Sequence, residues 1–247
     1  MCWPWAKTSR SSSKTRRSGS PGGSTLSTYP GAADHRSGRL IYRGAEADVI
    51  RGRWHGVDVV FKVRKPLPYR LAELDDAIRR QRTIREAESI AGARGAGVET
   101  PRVLLVDLAR ATLILEFVPG IRLKDLLLRT GGSEAASLFH RLGADIAKLH
   151  SAGIVHGDLT TANIIVSEKG LVFLDFGLSQ RSTRVEDFAV DLRLIKETLV
   201  GAHPMVAEAA FAGLRSGYGE LVGKARSRRV FTQLSNVERR GRYARVV

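Results

Sequence analysis

Residues His156–Gly177 read HGDLTTANIIVSEKGLVFLDFG. One aspartate, Asp158, stands near its start and another, Asp175, near its end, and Asn163 follows the first by five. Between them lie two apolar runs, Ile164 to Val166 and Leu171 to Leu174, separated by turn residues at Glu168 to Gly170. Apolar runs broken by a glycine-containing turn predict a β-hairpin. The hairpin sets polar groups at both of its ends.

That spacing resembles a protein-kinase catalytic loop followed by an Asp-Phe-Gly metal site. The chemistry accounts for the residue types. Phosphoryl transfer from ATP needs Mg2+ because the nucleotide tail is strongly anionic, and magnesium takes oxygen ligands. Asp175 is expected to chelate the ion, and Asn163 to offer a neutral oxygen to a second one. Asp158 is expected to take the attacking group's proton or to orient a water. The competing reading is a plain hairpin with exposed carboxylates at its turns. Three residue types at two matching spacings argue against it.

Working upstream, LIYRGAEADVIRGRWHGVDVVFKVR (Leu40 to Arg64) alternates like two strands around a turn at Trp54 to Gly56. Gly44, Ala45 and Glu46 open a loop that, by the same resemblance, covers the ATP phosphates. It holds a single glycine, a weak signal by itself. Lys62 comes later in the same stretch, flanked by Val60, Phe61 and Val63. Such a lysine pairs the α/β phosphates and is held by a helix glutamate. Residues 71–94 predict that helix, with a partial stripe of Leu74, Ala77, Ile78, Ile84, Ala87 and Ile90. Glu86 is the chosen partner, with Glu73 and Glu88 as rivals. Arg79, Arg80, Arg82 and Arg85 form a basic cluster on the same helix, either solvated or an RNA or partner contact. Pro101 to Val106 and Ala111 to Leu115 read as two more strands. Glu116, Phe117, Val118 and Pro119 then form a connector. By position alone, the backbone of Glu116 and Val118 is expected to bond adenine, with Leu115 walling the pocket.

Downstream, Ala135 to His150 predicts a long helix with Leu138, Leu142, Ile146 and Leu149 inward. His150 and His156 read as bracing groups and not as metal ligands. Helices are also expected over Asp187 to Val200 and Met205 to Tyr218, with Asp191 bracing the catalytic-loop backbone.

The chain has 247 residues and a net charge of +15, distributed unevenly. Residues 1–38 hold six Lys or Arg against one Asp, and residues 224–247 hold eight against one Glu. The middle of the chain, positions 39–223, carries 26 basic against 23 acidic side chains. The expected layout is a disordered basic extension at 1–38, an N-lobe at 39–118, a C-lobe at 119–223 and a basic tail at 224–247. The tail shows no apolar stripe, so truncation after Leu234 is expected to spare the fold. Arg239, Arg240, Arg242 and Arg245 are its candidate contacts to RNA, or groups that reach toward the nucleotide site, since basic segments gain counterion-release free energy on phosphate. One cysteine, Cys2, excludes an internal disulfide and fits a reducing, cytoplasmic compartment. No stretch is apolar for long enough to cross a bilayer, so no membrane span is expected.

Taken together, GAEA, Lys62, RTIREAE, HGDLTTAN, LDFGLS, VDLRLIK and the RRGR-type end resemble the small atypical kinase/ATPase subunit of the KEOPS complex, the PRPK-like proteins. The resemblance covers about residues 39–247, and HGDLTT with DFGLS is its specific part. It implies a minimal two-lobed α+β protein-kinase-like fold. It also implies Mg-dependent ATP hydrolysis in support of tRNA N6-threonylcarbamoyladenosine formation. The implied partners are the metallopeptidase-like catalytic subunit, other KEOPS subunits and tRNA.

Three departures from ordinary protein kinases favour an ATPase, or a kinase of narrow scope. Gly157 replaces the arginine that meets a phosphorylated activation loop. No Ala-Pro-Glu segment follows Leu178. Thr160 stands where a lysine usually neutralises the transferred phosphoryl group. The alternatives are a RIO-like or small-molecule kinase, and a non-catalytic ATP-binding scaffold.

Overall fold

Strand β2 (Ala47–Trp54) pairs with β1 (Arg39–Arg43) on one side and with β3 (Val57–Arg64) on the other, both antiparallel. The β2–β3 connection is the two-residue turn His55–Gly56, both at positive φ (48° and 80°). Two left-handed residues match the right-handed twist of a hairpin. Helix α1 (Ala72–Gly95) interrupts the sheet, which β4 (Val103–Asp107) and β5 (Thr112–Glu116) then complete in the order β1-β2-β3-β5-β4. The computed structural model describes residues 38–243. The expected N-terminal extension therefore lies outside the described residues, Gly38 apart.

The second half is mainly helical. β6 (Ile121–Arg122), α2 (Leu123–Leu127) and α3 (Gly132–Ser151) lead to β7 (Ile154–Val155). A 3-10 turn at Thr161–Asn163 precedes β8 (Ile164–Ser167) and β9 (Gly170–Phe173). β10 (Gln180–Arg181), α4 (Val185–Ala202), α5 (Pro204–Val222) and α6 (Lys224–Tyr243) follow. The predicted catalytic hairpin is β8–β9, extended by β6, and β10 pairs with β7. The architecture is a minimal two-lobed kinase-like α+β fold.

Packing below the hairpin depends on close contact between α3 and α5. A Cβ on Gly217 would lie 1.9 Å from the His140 carbonyl oxygen, and one on Gly213 2.1 Å from that of Ala136. Glycine at these two points lets the helix backbones meet. Leu138, Leu142, Ile146 and Leu149 of α3 join Leu214 and Tyr218 of α5 in the core.

Two sequence expectations are overturned. First, residues 224–243 are not a solvated tail. They form α6, and Val230, Phe231, Leu234 and Val237 are buried in the main core. Their spacing is that of one helix face, so truncation after Leu234 would cut into a packed helix. The stripe was hidden because basic residues dominate the composition. Phe231 meets the rings of Phe211 and Tyr218 edge-on at 6.0 and 5.7 Å. Second, the inward face of α1 is Asp75, Thr83, Glu86, Ile90 and Ala93, while Leu74 and Ile84 are exposed. The polar part of this face is partnered locally at its start, Asp75 by Arg70 and Arg79 and Thr83 by the Arg79 carbonyl, and by the β3 cations Lys62 and Arg64 at Glu86. Among the described residues, no helix is long and apolar enough to cross a membrane.

Candidate active site

Lys62 and Arg64 are two apart on β3 and so share one face of the sheet. That face turns toward α1 and the end of β9. The Lys62 ammonium donates to Glu86 Oε1 at 2.6 Å and to Asp175 Oδ1 at 2.6 Å. Strand, helix and Asp-Phe-Gly turn therefore converge on one nitrogen. Burial alone would lower the Lys62 pKa, but the charges and hydrogen bonds of Glu86 and Asp175 outweigh it and hold it above the ordinary value. Burial would likewise raise the Asp175 carboxyl. The Lys62 charge and bond, the Gly177 N–H and His156 together place it below the usual carboxylate range. Glu86 is almost wholly buried, whereas Glu73 and Glu88 are exposed.

Asp175 takes a left-handed conformation, φ 57°. Aspartate adopts that region more readily than most residues. Its side chain remains 45% exposed despite the pairing. Gly177 donates its N–H to Asp175 Oδ1 at 3.1 Å, and a Cβ at position 177 would stand 3.0 Å from that oxygen.

Asp158 and Asn163 are joined directly. The Asn163 amide nitrogen donates to the Asp158 carboxylate at 2.8 Å and to its carbonyl at 2.9 Å. Both amide hydrogens thus serve the loop, which leaves the amide oxygen as a neutral acceptor. The loop itself hangs on a buried acid. Asp191 of α4 accepts from the backbone N–H of His156 at 2.6 Å and of Gly157 at 2.8 Å. His150 completes this network through Asp191 at 3.3 Å and the Tyr218 hydroxyl at 3.0 Å. His156 bonds the Leu174 carbonyl at 3.0 Å, so both histidines brace the loop.

The glycine of the His-Gly-Asp motif has a steric cause. Gly157 has φ 81°, and a Cβ there would lie 2.2 Å from the Leu178 carbonyl oxygen. No side chain fits, an arginine included. The chain from Leu178 to Arg184 is short and pairs through β10 with β7 before α4 begins.

The remaining candidate residues are dispersed around this centre. Gly44, Ala45 and Glu46 make the β1–β2 turn, with Gly44 N–H bonded to the Ala47 carbonyl at 2.9 Å. The Glu46 carboxylate is engaged by Arg82 and Arg70. Leu115 and Val118 are buried on either side of the connector. The Glu116 side chain accepts from Lys169 at 2.7 Å, tying the connector to the β8–β9 turn. Within the helix cluster, Arg79 and Arg80 pair with Asp75 and Asp76. With Arg82 on Glu46, most of that cluster is neutralised within the chain. Arg239 donates to Asn236, and Arg240 pairs with Glu186 at 3.2 Å. The Arg242 side chain and all of Arg245 lie outside the described residues. Sequence reading missed Arg64, whose guanidinium bonds Glu86 Oε2 at 2.6 Å. Its signal was the period of two along β3.

The donor set fits an oxygen-coordinated divalent ion. Asp175 offers an exposed carboxylate and Asn163 an amide oxygen, both hard ligands. That composition suits magnesium, which is typically held by one or two protein groups together with phosphates and water.

The RIO domain description matches residues 73–192. The chain is 36% identical over 211 residues to the KEOPS complex subunit Bud32 of Pyrococcus abyssi, covering 83% of this chain and 96% of that protein. It is 38% identical over 204 residues to the probable bifunctional tRNA threonylcarbamoyladenosine biosynthesis protein of Methanobrevibacter smithii. There it covers 83% of this chain but spans only 36% of the relative's length. The crystal structure of the Rio2 kinase from Chaetomium thermophilum superposes with a TM-score of 0.55 at 17% identity, over 81% of this chain and 71% of that one. That likeness concerns the fold alone. The RIO domain match and the Pyrococcus relative overlap along the chain, so the RIO-like and KEOPS-type readings set against each other from sequence are not exclusive. With nearly the full length of the Pyrococcus protein matched at that identity, the chain belongs to the Bud32, PRPK-like family of KEOPS subunits, built on a RIO-type atypical kinase domain.

Proposed function

We propose that this chain is a magnesium-dependent ATPase and atypical Ser/Thr kinase that supports tRNA N6-threonylcarbamoyladenosine formation as a cytoplasmic KEOPS subunit. One observation carries the reading. The Lys62 ammonium stands 2.6 Å from both Glu86 and Asp175, so the phosphate-binding lysine, its helix glutamate and the metal-binding aspartate are assembled together.

Each residue then has a physical task. Lys62 supplies a fixed positive charge for the phosphates. Leu115 and Val118 exclude water from the adenine, whose polar edge meets the connector backbone at Glu116 and Val118. The turn at Gly44, Ala45 and Glu46 covers the phosphates, with the Glu46 side chain turned to its arginine partners. Asp158 takes the proton of the attacking hydroxyl or orients a water, and Asn163 fixes its carboxylate. Asp175 and Asn163 would hold magnesium, which when bound neutralises phosphate charge. Thr160 supplies no cation beside the transferred group, and Gly157 admits no arginine. Both features favour water, or a narrow set of hydroxyls, as acceptor.

The proposed partners are a metallopeptidase-like catalytic subunit, other KEOPS subunits and tRNA, in line with the names of the relatives. The test is reconstitution with those subunits and an ANN-decoding tRNA, reading modified adenosine against time. Asp158→Asn should abolish ATP-dependent turnover of the assembly while still entering it. Full modification by that variant would make the chain a nucleotide-binding scaffold.

A further inference from the structure

Glu86 is a deeply buried acid, with a side chain 1% exposed, and it has two cations. Lys62 takes Oε1 and Arg64 takes Oε2, each at 2.6 Å. The Arg64 guanidinium also reaches the Arg82 carbonyl of α1 at 3.4 Å. It lies 3.7 Å from where a Cβ on Gly177 would sit, so it backs directly onto the Asp-Phe-Gly turn. Two cations and two carboxylates therefore close one cluster. They are not equivalent. Lys62 also contacts the half-exposed Asp175, and under the ATP-site reading both of these groups turn toward the ligand. A carboxylate as buried as Glu86 is destabilising once its counter-charge leaves. Arg64 faces the interior, and its planar guanidinium fork is built to hold a carboxylate.

We propose that Arg64 is a positioning residue that anchors Glu86 independently of Lys62 and of nucleotide. It keeps α1 docked on β3, so the site is assembled before ATP arrives. The stretch after Gly177 gives an independent reason for such a device. It runs only from Leu178 to Arg184 before α4, and Gly157 excludes the arginine that could read a phosphorylated residue there. With no activation segment to hold α1 in place, the sheet itself does so through a second cation. The inference rests on the ATP-site reading only in its kinetic arm.

The experiment compares the full chain with Lys62→Ala, Arg64→Met, the double variant and the double variant carrying Glu86→Gln. Thermal midpoints and hydrogen exchange of α1 are measured without nucleotide. Each single change leaves Glu86 one cation. The double change leaves it none, so its loss in midpoint should exceed the sum of the singles, and Glu86→Gln should restore part of it. Arg64→Met should speed exchange in the Thr83 to Ile90 stretch while α3 and α5 stay protected. In steady state it should raise KM for ATP about tenfold, the lower end for a lost charge-assisted hydrogen bond, with kcat within about threefold. If Arg64→Met does not fold, Arg64→Lys carries the test, since it keeps charge but loses the fork. Additive midpoints, or unchanged α1 exchange in Arg64→Met, overturn the proposal. A chain that hydrolyses no ATP leaves both nucleotide-free readouts decisive for Arg64, and counts against the ATPase reading alone.

Discussion

Replacing Asp191 with asparagine should uncouple the catalytic loop from α4 while changing almost no volume. Asp191 is fully buried, and its two oxygens accept from the His156 and Gly157 backbone N–H groups at 2.6 and 2.8 Å. Asparagine keeps one acceptor oxygen and turns an amide N–H toward the other backbone N–H. One charge-assisted bond is lost, worth about 1.5–3 kcal/mol, and one buried donor is left unsatisfied, costing about 1–3 kcal/mol more. The sum is about 2.5–6 kcal/mol, against a whole-domain stability on the order of 5–15 kcal/mol. At about 2–4 °C per kcal/mol for a domain of this size, the melting midpoint should fall by roughly 5–24 °C. Gly157 sits at φ 81° because that backbone is held, so Asp158 should lose its position as well. Urea unfolding followed by circular dichroism gives the free energy, and ATP hydrolysis below the midpoint gives the loop effect. A variant within about 0.5 kcal/mol of the parent, the range of an inconsequential surface change, and with full turnover would refute the bracing role.

Other outcomes follow from the same geometry. Gly157→Ala should lower turnover sharply, because its methyl would meet the Leu178 carbonyl oxygen, whereas Gly56→Ala in the open β2–β3 turn should leave activity intact; equal kinetics for both would remove the steric argument. Phe231→Ala should destabilise the fold by about 3–5 kcal/mol, the range for a buried aromatic, and a near-neutral result in urea titration would restore the reading of 224–243 as a tail. Stability should depend on pH at both extremes. Asp175 has a depressed folded pKa, so its contribution is full above the unfolded value of about 3.9 and is lost as pH falls through the folded one. Lys62 has a raised folded pKa, so its contribution is full below about 10.4 and is lost as pH rises through the folded value. Lys62→Ala should flatten the melting midpoint at both ends, and a profile unchanged by the substitution would contradict the pairing.

The grouping of these side chains was legible in the linear order because polar residue types recur there at fixed spacing. Asp158, Asn163 and Asp175 flank one hairpin, β8–β9, whose turn and apolar runs set the separation of Asn163 and Asp175. Lys62 and Glu86 were found by analogy of position, and the structure brings them together across the gap between β3 and α1. What the sequence concealed has two physical causes. The inner face of α1 carries Asp75, Thr83 and Glu86, so apolar periodicity points instead to Leu74 and Ile84, which are exposed. On α6 the opposite occurred. Eight basic residues in 224–247 drew attention to charge, while Val230, Phe231, Leu234 and Val237 formed the packing stripe. Arg64 escaped notice because a single arginine beside a lysine reads as surface charge until the carboxylate between them is seen.

The most direct measurement is magnesium-dependent ATP hydrolysis by the purified chain, set beside nucleotide binding, for the parent and for Asp175→Ala. The account predicts that the parent hydrolyses ATP only with a divalent ion. The variant should retain adenosine binding through the connector while turnover falls to background. Undiminished hydrolysis by Asp175→Ala would contradict the assignment of this cluster as the catalytic centre.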